Sequence, residues 1–84
     1  MVRVEQTPNP NALKFTVGLP VGGPTTVRPG EPAEDEALGA LAELDGVTSV
    51  FATSDFVTLT KSSDGDWAVI APVAKEILEA RFSA

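Results

Sequence analysis

The chain has 84 residues, a net charge of −6, 43% apolar residues and 21% charged residues. These proportions are typical of a globular protein, and the length predicts one domain over residues 1–84. Only six residues are basic, and their scatter along the chain argues against nucleic acid, whose phosphates require clustered lysine and arginine. Because the chain has neither cysteine nor histidine, disulfides, thiolate metal sites and imidazole catalysis are excluded.

Nothing near the N-terminus has the pattern of a signal peptide. Arg3 and Glu5 interrupt the apolar start, and Pro8 and Pro10 follow at once. No apolar run approaches the roughly 18 residues that suggest a membrane span. We therefore expect a cytoplasmic protein without membrane contact.

The first two predicted strands are Val2–Gln6 and Ala12–Val17, because apolar and polar residues alternate in both. This alternation predicts that Lys14 and Thr16 face away from the core. Between the strands lies the segment TPNPN, which is predicted to form a connector.

Two prolines and two asparagines predict that this connector is rigid. Pro8 and Pro10 fix their backbone angles and remove two hydrogen-bond donors. Asn9 and Asn11 can hydrogen-bond to nearby backbone groups. The connector then fixes where the second strand begins, and Asn9 and Asn11 are also candidate protein contacts.

Residues 18–32 are rich in proline and glycine, which predicts a long surface loop with room for a short edge strand at Thr25–Val27. A first helix is predicted to start within residues 31–36, with Pro32 and several acids in its first turn. Gly46 is predicted to end this helix as a left-handed cap.

Residues 47–53 and 56–61 are β-rich and flank a short turn, so they predict a hairpin. In the second run Thr58 and Thr60 should face outward, alternating with Val57 and Leu59. In the first run two alternations compete for the core: Val47 with Phe51, or Val50 with Ala52.

A second helix is predicted from the N-cap Asp66 to Phe82. Pro72 predicts either a bend or a separate first turn, with the main helix starting at Pro72. The predicted order is ββαββα. The fold class is α+β, a two-layer sandwich in which two helices cover one face of a mostly antiparallel sheet.

Two other motifs have ordinary structural interpretations. The glycines of residues 18–23 lack the lysine and the helix N-terminus of a phosphate-binding loop. Asp64 and Asp66 lack the further acids of a calcium loop and are explained by a turn and a helix cap. No residue pair supports catalysis, so we expect a protein that is not an enzyme and has no cofactor or metal.

The outward side of the sheet is the candidate contact surface. It is predicted to hold four polar strand residues, which form a threonine-rich and partly basic face in an acidic chain: Lys14, Thr16, Thr58 and Thr60. Threonine is common on exposed strands because of its β propensity alone, so a plain solvated face is the competing interpretation.

Four sequence segments together resemble one known family. They are TPNPNALKF, LAELDGVTSVF, DFVTLTK, and Asp-Trp with a proline five residues beyond the tryptophan. In this order and spacing they are similar to the N-terminal domain of Nfu (NifU-like) iron–sulfur cluster scaffold proteins. The resemblance covers nearly the whole chain and is loosest between residues 18 and 30.

This resemblance implies a role in iron–sulfur cluster assembly or delivery. In the family the cluster is carried by a separate C-terminal domain with a Cys-x-x-Cys motif, which these residues lack. The resemblance therefore implies a stand-alone accessory module that contacts a scaffold, carrier or client protein without ligating the cluster. The alternative is an interaction or regulatory domain unrelated to iron–sulfur chemistry, since a fold can be retained after its function is lost.

Overall fold

The computed structural model describes residues 2–82, which fold in the order βββαββα. The elements are β1 (Arg3–Gln6), β2 (Ala12–Thr16), β3 (Gly22–Val27), α1 (Glu36–Ala42), β4 (Val47–Ser54), β5 (Phe56–Lys61) and α2 (Trp67–Arg81). The strands form one sheet in the order β1-β2-β5-β4-β3, and every neighbouring pair is antiparallel. The predicted α+β class is confirmed, with one strand more than the order ββαββα contains.

The core lies between the sheet and the two helices. Strands β2 and β5 at its centre alternate as predicted, so Phe15, Val57 and Leu59 are completely buried there. The helices contribute their apolar stripes at helical spacing to this core, and the residues concerned are Leu38, Leu41, Ala42, Ile70, Ala74 and Leu78. We call this side of the sheet the covered face.

A β-bulge resolves the competition between the two alternations in β4. Val50 and Ala52 are completely buried, and Phe51 points to the opposite side of the sheet. The register against β5 shifts between Val47 and Ser49. Because the bulge inserts one extra residue, Val47 also reaches the covered face, although it is three positions from Val50.

The turn between β4 and β5 is the predicted Ser54–Asp55 pair. Thr53 pairs with Phe56 across it. Ser54 has a φ of 53°, the left-handed conformation that tight hairpin turns require. The carbonyl of Asp55 accepts a hydrogen bond of 2.8 Å from the N–H of Val17, so the turn also holds the end of β2.

The segment predicted as a loop, residues 18–32, contains the edge strand β3. This strand is longer than the predicted Thr25–Val27, since it begins at Gly22. A glycine–glycine–proline sequence is typical of a loop, but pairing with β4 supplies the backbone partners here. The register shifts between Gly22 and Thr25, which accommodates these residues in the strand.

The predicted end of the first helix was wrong, whereas its start falls at the last residue of the predicted range. The helix begins at Glu36, because the Asp35 side chain caps it by accepting from the N–H groups of Ala37 and Leu38. Pro32 therefore lies before the first turn, not within it as predicted. The helix ends at Ala42. Gly46 is left-handed, with a φ of 93°, but it lies in the turn that leads into β4.

The second helix is continuous from Trp67 to Arg81 and contains Pro72. Of the two predicted alternatives, the separate first turn is thus not found in these residues, because the missing N–H of an exposed proline removes a single intrahelical bond. Asp66 is the N-cap, as predicted, and accepts a 2.9 Å hydrogen bond from the N–H of Ala68. Within residues 2–82 no helix has both the length and the apolar character that crossing a membrane demands.

Candidate functional site

The side of the sheet opposite the helices is the candidate site, and we call it the open face. Its members alternate along the strands with the buried residues of the covered face. They are Thr26 from β3, Phe51 and Thr53 from β4, Lys14 and Thr16 from β2, and Phe56, Thr58 and Thr60 from β5.

Two phenylalanines lie on the inner strands β4 and β5 of the open face. Phe51 is 38% exposed and pairs with Thr26 on one side and Thr58 on the other. Phe56 is half-buried and pairs with Thr16 and Thr53. Since the two rings are diagonal neighbours across β4 and β5, they form an apolar centre with a rim of threonines.

Charge on this side of the sheet differs from that of the whole chain. The Nζ of Lys14 lies 4.5 Å from the centre of the Phe56 ring, a cation–π arrangement. The hydroxyl of Thr16 donates a 3.0 Å hydrogen bond to Glu5. Glu5 is the one acidic residue at the outward strand positions, which also carry Arg3 and Lys14. The surface is thus slightly basic in a chain of net charge −6.

Four of the six predicted contact residues are brought together here. Lys14 pairs directly with Thr58, while Thr16 and Thr60 lie on the same two strands and the same side. Sequence reasoning missed Phe51 and Phe56. The alternation that placed Thr58 and Thr60 outward also places Phe56 outward, whereas Phe51 depended on the bulge.

Asn9 and Asn11 lie elsewhere, in the connector at the end of the sheet. The side-chain oxygen of Asn9 accepts a 2.9 Å hydrogen bond from the N–H of Asn11. The side-chain oxygen of Asn11 accepts a 3.0 Å hydrogen bond from the Nζ of Lys61. Both amide groups therefore support the shape of the connector, and their predicted role as protein contacts stays a prediction.

The connector is also fastened to the second helix. The indole N–H of Trp67 donates a 3.0 Å hydrogen bond to the carbonyl of Pro10. The Nζ of Lys61 lies 5.9 Å from the centre of the Trp67 ring. Trp67 is half-buried and packs against the core. It links the start of α2 to the connector.

The cavities offer little chemistry. One cavity of about 750 Å³ lies between β3 and the start of α1, where Arg81 forms a 3.0 Å salt bridge with the capping Asp35. Hydrogen bonding, chiefly from the Ser62 side chain, lowers the pKa of the Asp64 carboxyl, but this acid lies in the exposed turn before α2. Residues 2–82 hold no group of three histidine, cysteine or acidic residues suited to a metal ion.

The elements define a small α+β domain in which one face of the sheet is left without helices, and residues 2–82 hold no ligand set for a metal. The chain belongs to the family described as "Scaffold protein Nfu/NifU N terminal", whose sequence model matches residues 2–84. The resemblance drawn from the four segments is thereby confirmed.

Two relatives illustrate the match. A NifU-like protein of Schizosaccharomyces pombe is 33% identical over 98% of this chain, which spans 34% of that protein. The human protein named NFU1 iron-sulfur cluster scaffold homolog, mitochondrial, is 37% identical over 84% of this chain, which spans 30% of it. The chain thus spans about a third of the length of these relatives.

Solved structures give the same fold. The crystal structure of protein SAV1430 from Staphylococcus aureus has a TM-score of 0.81 and 25% identity, covering 93% of this chain and 98% of that one. The solution structure of a NifU-like protein from Saccharomyces cerevisiae has a TM-score of 0.71 and 26% identity, covering 95% of this chain and 76% of that one.

Proposed function

We propose that this chain is a non-enzymatic binding module of iron–sulfur cluster assembly. It contacts a scaffold, carrier or client protein through the open face and supplies no ligand to the cluster. The observation that carries the proposal is the pair of phenylalanines, Phe51 and Phe56, on a sheet face without helices, in a chain of the Nfu N-terminal family.

The chemistry of the open face suits protein contact. Interface centres are enriched in aromatic residues and depleted in acids, with a polar rim. Phe51 and Phe56 provide the centre, and threonines of β2, β4 and β5 provide the rim. The slightly basic surface further favours a partner with an acidic face.

The cluster itself is not expected to bind to these residues. Iron–sulfur clusters are held by cysteine thiolates and in some cases by histidine, and the chain has neither. Any cluster handled in the complex is then carried by the partner or by another segment. This chain contributes recognition.

The contact can be tested by affinity capture from the native extract, with the captured proteins identified by mass spectrometry. We expect iron–sulfur scaffolds or clients among the wild-type captures and their loss with Phe51→Ser. Val69→Ser is the matched control, since Val69 is 67% exposed on α2. Capture that excludes iron–sulfur proteins would point to an interaction domain unrelated to this chemistry. Equal capture by Phe51→Ser and wild type would remove the open face as the contact surface.

The absence of cluster ligation can be tested by anaerobic reconstitution with iron and sulfide. We expect no charge-transfer absorption on the repurified protein. A stoichiometric cluster retained by this chain alone would contradict the argument from its missing ligands.

The cytoplasmic location remains part of this proposal. The human relative carries the word mitochondrial in its name, but the compartment of a relative does not establish the location of this chain. A fluorescent fusion expressed in the native cell measures the location directly.

A further inference from the structure

The two edges of the sheet differ in their ability to accept another strand. The β3 edge has a register shift between Gly22 and Thr25 and contains Pro24, which has no N–H to donate. Such irregularities prevent pairing with a further strand. At the other edge, β1 (Arg3–Gln6) pairs with β2 at every residue and contains neither glycine nor proline.

The hydrogen-bond pattern shows which groups of β1 point outward from this edge. The carbonyl of Asn11 accepts from the N–H of Lys61, and the N–H of Val17 donates to Asp55, both at 2.8 Å. Odd-numbered residues of β2 therefore bond to β5, and even-numbered residues bond to β1, because antiparallel pairs alternate.

It follows that the backbone N–H and C=O groups of Arg3 and Glu5 point toward β2 and form hydrogen bonds there, since these residues pair with Thr16 and Lys14. The N–H and C=O of Val4 then point to the free edge. The Val4 side chain is 40% exposed. It borders a cavity of about 520 Å³ that is also lined by Pro10 and Trp67.

The sequence of β1 complements itself in one antiparallel register. With Val4 opposite Val4 of a second copy, Arg3 lies opposite Glu5 of that copy, and Glu5 lies opposite its Arg3. Each ion pair then occupies a non-hydrogen-bonded position, where the side chains approach most closely.

The neighbouring two-fold registers are unfavourable. Centring the pair on Arg3 or on Glu5 places like charges directly opposite each other, which destabilises a strand pair. Centring it on Gln6 places Pro8 opposite Val4, where a ladder hydrogen bond requires an N–H that proline lacks. The Val4 register satisfies both the charges and the backbone.

We propose that two copies of this chain associate through their β1 edges in the Val4-centred register, forming a continuous ten-stranded sheet. The occupant of the free edge is a second copy, because its charges complement those of β1 at both ion-pair positions. The two-fold axis lies perpendicular to the sheet, so both open faces lie on the same side. The contact goes beyond the proposed function and does not depend on it.

Charge reversal provides the test, read by sedimentation velocity. We expect the wild type to dimerise and Arg3→Glu and Glu5→Arg each to weaken self-association about tenfold or more. A mixture of the two variants should form a heterodimer, because every facing pair then has opposite signs. Arg28→Glu, an exposed change of the same charge beyond β3, should leave the dimer intact.

Restored association in the mixture also shows that both variants are folded. A monomeric wild type, a dimer insensitive to either reversal, or a mixture that fails to associate would each overturn the proposal.

The register of the strand pair is tested by disulfide cross-linking, since the wild-type chain has no cysteine. Val4→Cys should cross-link under mild oxidation faster than Val69→Cys, although Val69 is the more exposed residue at 67% against 40%. The reverse order would also overturn it.

Discussion

Phe15 and Phe56 lie on adjacent strands, yet the two faces of the sheet give them different roles. Phe15 is completely buried on the covered face, in the same hydrophobic core as residues of both helices. Phe56 is half-buried on the open face, beneath the Nζ of Lys14. The same side chain therefore supports folding in one place and offers a contact surface in the other. The difference comes from which side of the sheet the helices cover.

The largest expected effect is Phe15→Ala. Removing a fully buried aromatic side chain leaves a cavity, and we expect the free energy of unfolding to fall by about 3–5 kcal/mol. Phe51→Ala is the matched control, because Phe51 is 38% exposed, and should cost about 1 kcal/mol or less. Urea denaturation measures both. Similar losses for the two variants would break the distinction between the faces.

The second prediction concerns the pairing of β3 with β4, which places Thr26 beside Phe51 on the open face. Gly23 has a φ of 85°, and a Cβ there would collide with the carbonyl oxygen of Ala52. Gly23→Ala should cost at least about 1–2 kcal/mol for the backbone conformation alone, and the collision adds to this. Gly18→Ala is the control, since Gly18 has a φ of 76° with nothing within 4 Å of its Cβ.

Denaturation of these two glycine variants isolates the contact from the backbone conformation. We expect Gly23→Ala to be the less stable of the two. If both were equally stable, β3 would not be held against Ala52 as described, and Thr26 would lose its place beside Phe51.

The third prediction concerns the connector TPNPN, which lies between β1 and β2 at one end of the sheet. Trp67→Phe keeps an aromatic ring but loses the hydrogen bond to the carbonyl of Pro10. We expect a loss of about 0.5–1.5 kcal/mol in the free energy of unfolding. Asn9→Ala combined with Asn11→Ala should also destabilise the protein, because both side-chain oxygens accept hydrogen bonds within the fold. Wild-type stability of the double variant would leave these asparagines available as contacts.

The features that local sequence patterns determine were predicted correctly. Alternation in β5 placed Leu59 inward and Thr58 outward, and Asp66 was identified as a cap from its position before an apolar run. These features depend on neighbours within a few residues, so the chain itself displays them.

Features that depend on distant contacts were missed. Asp35, the N-cap of α1, accepts a hydrogen bond from Arg81, 46 positions away. The carbonyl of Pro10 accepts a hydrogen bond from the indole N–H of Trp67, 57 positions away. The bulge in β4 is a property of its pairing with β5, so Phe51 could not be assigned to a face. One of the two phenylalanines of the candidate site, Phe51, could therefore not be predicted from the sequence.

The smallest stability effect belongs to the open face itself. Thr58 lies between Lys14 and Phe51 on neighbouring strands, so Thr58→Glu puts a charge at the centre of this surface without touching the core. Its effect on the free energy of unfolding should stay within about 0.5 kcal/mol, because the new carboxylate faces water and lies near an ammonium group. Capture of the partner should nevertheless be lost, since removing the added carboxylate from water in the interface carries a desolvation penalty.

Thr25→Glu is the control for this last change, because Thr25 pairs with Ala52 and so lies on the helix side of the same sheet. It is exposed, and the substitution has the same chemistry. Chemical denaturation and affinity capture are run on both variants. Thr58→Glu is expected to separate the two readouts, with stability kept and binding lost, whereas Thr25→Glu should keep binding. If Thr25→Glu alone abolished capture, the partner would bind the helix side near β3. The threonines of the open face would then be ordinary solvated strand residues.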